Sequence, residues 1–243
     1  MRRFYRFVAL SDHWLARLLR KLYRGVDRFS VPAPRVLTTP VLALMIAVRT
    51  TYYFLRRVLV AEPLFKVYCN QYGRNLHTGI YVHWVQGKGE IVIGDDVNIQ
   101  GKCSFFFAAR YSDKPRLLIG DYTGIGHNCS FTVGKEIRIG KHCRFGSAVA
   151  VFDAPGHPAD PVARLAGLPS ADSEVRPVTI GDNVWIGSGA VIFPGVTIGD
   201  GSIVATGSVV MTDVLGNTMV AGNPARQVRT LVPSIPAGPV TKS

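Results

Sequence analysis

The stretch Ile180-Gly-Asp-Asn-Val-Trp185, Ile186-Gly-Ser-Gly-Ala-Val191, Ile192-Phe-Pro-Gly-Val-Thr197, Ile198-Gly-Asp-Gly-Ser-Ile203, Val204-Ala-Thr-Gly-Ser-Val209, Val210-Met-Thr-Asp-Val214 advances in sixes. An aliphatic residue opens each unit. A small or branched residue (Val184, Ala190, Val196, Ser202, Ser208, Val214) follows four places later, with Gly, Asp and Asn crowded between. An α-helix turns every 3.6 residues and does not repeat this way. A parallel β-helix does: each unit makes one short flat face and one corner, and three units close a coil of about 18 residues. The opening aliphatic side chains then stack inside a triangular prism, roughly 4.8 Å apart. The corners call for tight or left-handed backbone, which Gly, Asn and Asp supply.

The same phase can be followed upstream. Coils open at Ile93, Ile119, Ile139, Ile180 and Ile198. Against about 18 residues per coil, the gaps carry about 8, 2, 23 and 0 extra residues, which are expected to leave the wall as loops on one side. The large excess, 153–177, is the one long excursion, and long loops on rigid scaffolds are where function tends to sit. Residues 67–220 are thus read as the coil domain, with an irregular first coil beginning between Tyr68 and Trp84. The chain is expected to leave the coil after Val214, and residues 221–243 to form a tail whose Pro-rich end, 230–243, is frayed.

The net charge of +12 is concentrated at one end. Residues 1–66 hold 13 Lys/Arg against 3 Asp/Glu, whereas the remainder holds 15 against 13. Leu15, Leu18, Leu19 and Leu22 share a helical face from which Arg17, Arg20, Lys21 and Arg24 largely point away, the pattern of a basic amphipathic helix. A membrane surface bearing anionic lipid is the expected partner of residues 1–62, and a helix packed on the subunit is the alternative. No nucleic-acid motif accompanies the charge, so nucleic acid is not expected. Val36–Val48 is free of charge, but Pro40, Arg49 and Arg56-Arg57 interrupt or bound the apolar run. A spanning helix needs about 20 apolar residues, so this segment is read as interfacial or re-entrant, with Pro63 stopping the helix.

Cys103, Cys129 and Cys143 fall at the small inward hexad position and are expected to be buried structural thiols; Cys69 precedes the clear hexads. No Cys/His metal spacing and no secretory cleavage pattern is evident. A reduced, cytoplasmic setting is expected, on the inner face of the cell membrane.

The excursion begins Phe152-Asp-Ala-Pro-Gly-His157-Pro-Ala-Asp160-Pro. Together with Asn183-Val-Trp185-Ile-Gly187-Ser, Pro194-Gly195-Val-Thr-Ile-Gly199, Gly207-Ser-Val-Val and Ala221-Gly-Asn-Pro-Ala-Arg226, it resembles the hexapeptide-repeat acyltransferases. The sugar O-acetyltransferase branch (galactoside, maltose, nodulation and capsule enzymes) is the most similar. The resemblance covers about 91–230. It implies a mainly β fold, a left-handed parallel β-helix preceded here by a basic and apolar α-helical segment. It also implies a homotrimer with sites between neighbouring prisms, acetyl-CoA as co-substrate and no metal.

An alcohol is a weak nucleophile at pH 7, and a neutral imidazole within hydrogen-bond reach removes its proton as it attacks a thioester. The resemblance assigns that role to His157, and Asp153 and Asp160 are candidates to orient its ring. Trp185 is expected beside the acetyl and pantetheine arm. The backbone at Ser188 and Gly189 is expected to face the thioester oxygen, and Thr206 and Gly207 to give the cofactor a smooth wall. Arg226 and Arg229 match the positions that meet the phosphates of coenzyme A, for which guanidinium is well suited. Asn128 is a candidate for binding the acceptor, a sugar or lipid-linked saccharide.

The small-sugar enzymes have a different N-terminal region, so their upstream acceptor residues do not carry over. The expected reaction is O-acetylation of a sugar hydroxyl in surface-polysaccharide or lipid-linked saccharide synthesis. N-acetylation of an amino sugar and a non-catalytic trimeric scaffold are the alternatives. A zinc site of His127, His142 and His157 is disfavoured by their spacing.

Overall fold

The computed structural model describes residues 2–232; the end of the Pro-rich tail lies outside the described residues. Contacts divide the chain into two units, with the boundary between Thr50 and Thr51.

In the first unit, α1 (Arg2–Leu10) and α2 (Trp14–Asp27) are separated by a short break. His13 caps α2, its Nδ1 accepting the Leu15 N–H at 3.3 Å. The Arg20 guanidinium donates to the carbonyls of Val8, Ala9 and Ser11, satisfying the end of α1. Ala16 is buried in this pair.

A third helix, α3 (Arg35–Arg56), runs on through a π-helical turn at Arg57–Ala61 into α4 (Glu62–Tyr68). Pro63 therefore does not stop the helix. A proline lacks an N–H and crowds the carbonyl four residues back; here it sits in the first turn of α4, where a missing N–H costs least, just after the wider π turn. The whole run, Arg35–Tyr68, is 34 residues long with mean hydropathy 1.2 in its most apolar window, none of which is buried. By length and composition it is enough to cross a membrane.

The second unit is the predicted prism. Its first wall is built from Gln71–Tyr72, Glu90–Ile93, Arg116–Ile119, Glu136–Ile139, Val178–Ile180 and Thr197–Ile198. The second wall is His77–Thr78, Asn98–Ile99, Gly124–Ile125, Arg144–Phe145, Trp185–Ile186, Ile203–Val204 and Thr218–Gly222. The third is Trp84–Gln86, Ser104–Phe107, Ser130–Val133, Ala150–Phe152, Val191–Ile192 and Val209–Val210. Neighbours within each wall are parallel, and the irregular first coil is the one at residues 71–86.

Register turns the period of six into columns. Ile93, Ile119, Ile139, Ile180 and Ile198 are successive partners in the first wall. Phe105, Phe131, Val151, Ile192 and Val210 are successive partners in the third. All are buried, each such side chain contributing about 1.5–3 kcal/mol. The Phe105 and Phe131 rings stack at 5.5 Å and 8°. Cys103, Cys129 and Cys143 are buried free thiols in the same interior.

The corners repeat as well. At the corner between first and second walls, Asp121 Oδ1 accepts the Asp95 N–H at 2.9 Å, Asp182 Oδ1 the Lys141 N–H at 2.8 Å, and Asp200 Oδ1 the Asp182 N–H at 2.8 Å. The following residue is left-handed in each coil: Asp96, Tyr122, His142, Asn183 and Gly201. The extra residues at 108–115, 134–135 and 153–177 all emerge at one edge, between third and first walls.

Two features depart from the sequence reading. The coil does not end at Val214. That residue bridges to Ile198, Thr218–Gly222 pairs with Ile203–Val204, and Ala225–Thr230 then folds back antiparallel as a hairpin. At the other end, α4 plugs the prism: Phe65 is buried 5.5 Å from Phe105 and 4.7 Å from the buried His83. Arg57 ties this end down by donating to Glu62 Oε1 at 2.8 Å and contacting His77 Nδ1 at 2.6 Å.

Candidate active site

His157 rides on the long excursion and is exposed, between buried Ala154 and Pro158. The excursion is tightly fastened. Asp153, fully buried, accepts the N–H groups of Gly134, Lys135 and Glu136, the last two at 2.7 Å. Its own carbonyl accepts the Arg176 N–H at 2.9 Å, which draws the two ends of the loop together. Burial pushes the Asp153 carboxyl up, while the three N–H donors pull the other way. Asp160 caps the short helix α5 (Pro161–Leu165) by accepting from Val162 and Ala163. Ser170 Oγ donates to the Pro155 carbonyl at 3.1 Å, and Lys135 pairs with Asp172 at 2.9 Å.

Neither acid therefore orients the His157 ring. Asp153 spends its oxygens on the turn one coil earlier, and Asp160 on a helix end. Closeness in sequence to His157 does not reveal that each carboxylate has backbone partners elsewhere.

The expected cofactor residues gather on the second wall and on its edge with the third. Trp185 points outward between Arg144 and Ile203, 57% exposed. Ser188-Gly189 and Thr206-Gly207 occupy that edge in successive coils. Gly189 and Gly207 are left-handed, with φ of 68° and 70°, and a Cβ added at either would meet nothing within 4 Å. By contrast, a Cβ at left-handed Gly101 or Gly201 would strike the side chain of His127 or Asn217. The strip at 189 and 207 is thus bare on its outer side.

One assignment changes. The Gly189 N–H donates to the Ser147 carbonyl at 2.8 Å and the Gly207 N–H to the Ser188 carbonyl at 2.9 Å. The Gly189 donor holds the corner together and is not free for a thioester oxygen, whereas the Ser188 N–H makes no such bond among the described residues.

Arg226 and Arg229 lie in the terminal hairpin, opposite Ala221 and Met219, and both are exposed. Asn128 is exposed and left-handed at the same edge as Gly189 and Gly207. The three histidines of the zinc alternative stand on three different edges: His127 between second and third walls, His142 between first and second, and His157 between third and first. They do not converge within one chain.

Comparison with known proteins bears directly on this arrangement. A family profile described as the hexapeptide repeat of succinyl-transferase matches residues 177–211. Nodulation protein L of Rhizobium leguminosarum bv. viciae is 41% identical over 138 residues, covering 57% of this chain and 66% of the relative. The hexapeptide-repeat-containing acetyltransferase VCA0836 of Vibrio cholerae is 32% identical, with 62% of this chain and 74% of that one covered and a TM-score of 0.46. The chain belongs to the hexapeptide-repeat acyltransferases.

Across the family fold, the N-acyltransferase AntD of Bacillus cereus, solved with dTDP and coenzyme A, superposes with a TM-score of 0.58 over 70% of this chain and 89% of that one, at 22% identity. The parallel three-walled prism agrees with the left-handed β-helix expected of hexapeptide-repeat acyltransferases. The chain spans 48% to 66% of the length of the curated relatives it matches.

Proposed function

We propose that this hexapeptide-repeat protein is an acetyl-CoA-dependent O-acetyltransferase acting on a sugar hydroxyl, in surface-polysaccharide or lipid-linked saccharide synthesis. The observation that carries the reading is the bare strip at Gly189 and Gly207. It has Trp185 beside it on the wall and Arg226 and Arg229 at the end of that wall. An extended thioester arm fits such a strip, with guanidinium groups suited to the phosphates at one end. Titration with acetyl-CoA tests it: a saturable thermal shift is expected, and its absence favours a non-catalytic scaffold.

His157 acts as the base in this reading. Its neutral imidazole takes the hydroxyl proton as the sugar oxygen attacks the thioester carbonyl. The tetrahedral intermediate collapses with cleavage of the C–S bond, and the imidazolium returns the proton to the coenzyme A thiolate. The step needs no acylated thiol, and Cys103, Cys129 and Cys143 are buried.

The same reading calls for a homotrimer. Within one prism, His157 leaves the edge between third and first walls, whereas the bare strip lies on the edge between second and third. Neighbouring prisms bring one protomer's excursion to the other's strip. Residues 1–62 attach the assembly to the cytoplasmic face of the membrane, where acetyl-CoA is available, through basic α2 and the apolar run that follows. Thiol release that depends on both a lipid-linked saccharide extract and His157 is the decisive assay.

A further inference from the structure

Outward positions along the second wall read, coil by coil, His77, Asn98, Gly124, Arg144 and Trp185. The row has one gap, at Gly124. The backbone conformation does not require a glycine there. Its φ is not among the positive ones, and an added Cβ would meet only the Arg144 side chain, Cδ at 3.5 Å and Nη1 at 3.7 Å, which are ordinary contacts. A glycine inside a strand weakens it and often marks a place where another molecule approaches the backbone.

A second irregularity adjoins it. The left-handed slots between first and second walls hold Asn75, Asp96, His142, Asn183, Gly201 and Asn217, residue types that are enriched in or tolerate that conformation. Tyr122 occupies the same slot at φ 57°, where a bulky side chain is unusual. Its ring is stacked on His142 at 4.9 Å and 4°, and is 45% exposed. Arg144 is held across the wall by donating to the Tyr122 carbonyl, and to that of Cys143 at 3.0 Å.

Both irregularities border one groove of about 290 Å³. Gly124 forms its floor. Tyr122 and Asp96 stand on one rim, Gln100 on the other, with Asn98 and Arg144 at its ends. Where a sequence breaks local rules at adjacent positions without gain to the fold, function is the expected reason.

The lining defines the ligand. An apolar ligand would leave Asn98, Gln100, Asp96 and Arg144 unmatched. A phosphate would face the Asp96 carboxylate. A pyranose has a face of C–H bonds for an aromatic platform and a rim of hydroxyls that both donate and accept, which planar amide, carboxylate and guanidinium groups can bracket.

We infer that this groove is a saccharide subsite, binding a sugar unit of an oligosaccharide across Gly124 and against Tyr122. It deepens the acyltransferase reading by making the acceptor an oligosaccharide, of which this unit is a non-reacting member. Only that identification of the bound saccharide with the acceptor rests on the reading. The groove continues the second wall directly below Trp185 and opens toward the edge that carries Asn128.

The test is a microarray of defined oligosaccharides of hexoses, deoxyhexoses and amino sugars, probed with the full chain in detergent. Wild type is expected to retain a restricted set of glycans. Gly124→Ile, which fills the floor with a strand-favouring residue, and Tyr122→Ala are each expected to weaken retention by about tenfold or more, and Tyr122→Phe by less than about threefold. Acetyl-CoA thermal shifts, measured on every variant, report that the prism remains folded and test the acyltransferase reading separately. Glycan binding lost on filling the groove, without an acetyl-CoA response, keeps the subsite and removes the enzyme. An acetyl-CoA response with no glycan retained, or with equal retention by Gly124→Ile, removes the subsite alone.

Discussion

Asp153 at the start of the excursion accepts the backbone N–H of Lys135, one coil earlier, at 2.7 Å. The same carboxylate takes the N–H groups of Gly134 and Glu136, so one side chain fixes the point from which the His157 loop leaves the wall. Asp153→Ala leaves buried donors unsatisfied, at about 1–3 kcal/mol for each such group. A lower Tm and faster proteolytic nicking near Arg164 are expected, with kcat falling through misplacement of the loop. Asp153→Asn retains only part of the acceptor capacity and should fall between, by differential scanning fluorimetry and limited trypsin digestion.

His157 is exposed on that loop, and no described hydrogen bond uses it. His157→Ala is therefore expected to leave Tm and acetyl-CoA affinity unchanged while lowering kcat by about 10²–10⁴-fold, the range supplied by a general base. Retained turnover removes His157 from the mechanism.

Gly207 offers a way to obstruct the proposed cofactor strip without disturbing the prism. Asn tolerates the left-handed backbone that Gly207 adopts, and its side chain would project into open space. Gly207→Asn is expected to raise the KM for acetyl-CoA by about tenfold, roughly 1.4 kcal/mol, with little change in Tm. An unaltered KM would move the cofactor off this edge.

His83 makes stability depend on pH. Its Nδ1 accepts the Cys103 N–H at 3.2 Å, its Nε2 has no partner, and burial lowers its pKa from 6.5 to about 4. Between these values the unfolded chain binds the proton more readily than the folded one. Stability is thus full above pH 6.5, falls as the pH drops toward about 4, and loses in all about 3 kcal/mol. Chemical denaturation at a series of pH values should show this slope in wild type and not in His83→Gln.

Phe65 bears on where the N-terminal segment can be cut. A chain beginning at Thr51 keeps Phe65 over Phe105 and should retain the wild-type Tm while no longer pelleting with anionic vesicles. Removing residues through Tyr68 uncovers the end of the core, and Phe65→Ala in the full chain should cost about 3–5 kcal/mol. Continued pelleting of the chain from Thr51 would place the attachment in residues 51–62, and pelleting of a chain beginning at Pro63, which still keeps Phe65, would overturn the membrane assignment.

The sequence by itself determined the prism, the phase of its coils and the position of the one long excursion. Each of these follows from a six-residue period in which an aliphatic residue and a turn former recur locally, so neighbouring coils specify one another without knowledge of distant contacts. Trp185 stands in fixed phase with the repeat, whereas His157, on the excursion outside it, was singled out by the resemblance of its Gly-His-Pro loop. The tertiary structure decided what each side chain is bonded to. Asp153 and Asp160 hold backbone rather than His157, and the Gly189 N–H is consumed by Ser147, because stacking sets donors from one coil against acceptors many residues away. It also decided that α4 plugs the prism, through a ring contact between Phe65 and Phe105. The groove at Gly124 belongs to the same class. A missing side chain becomes a cavity only when Asn98 and Arg144 are laid on either side of it by strand register.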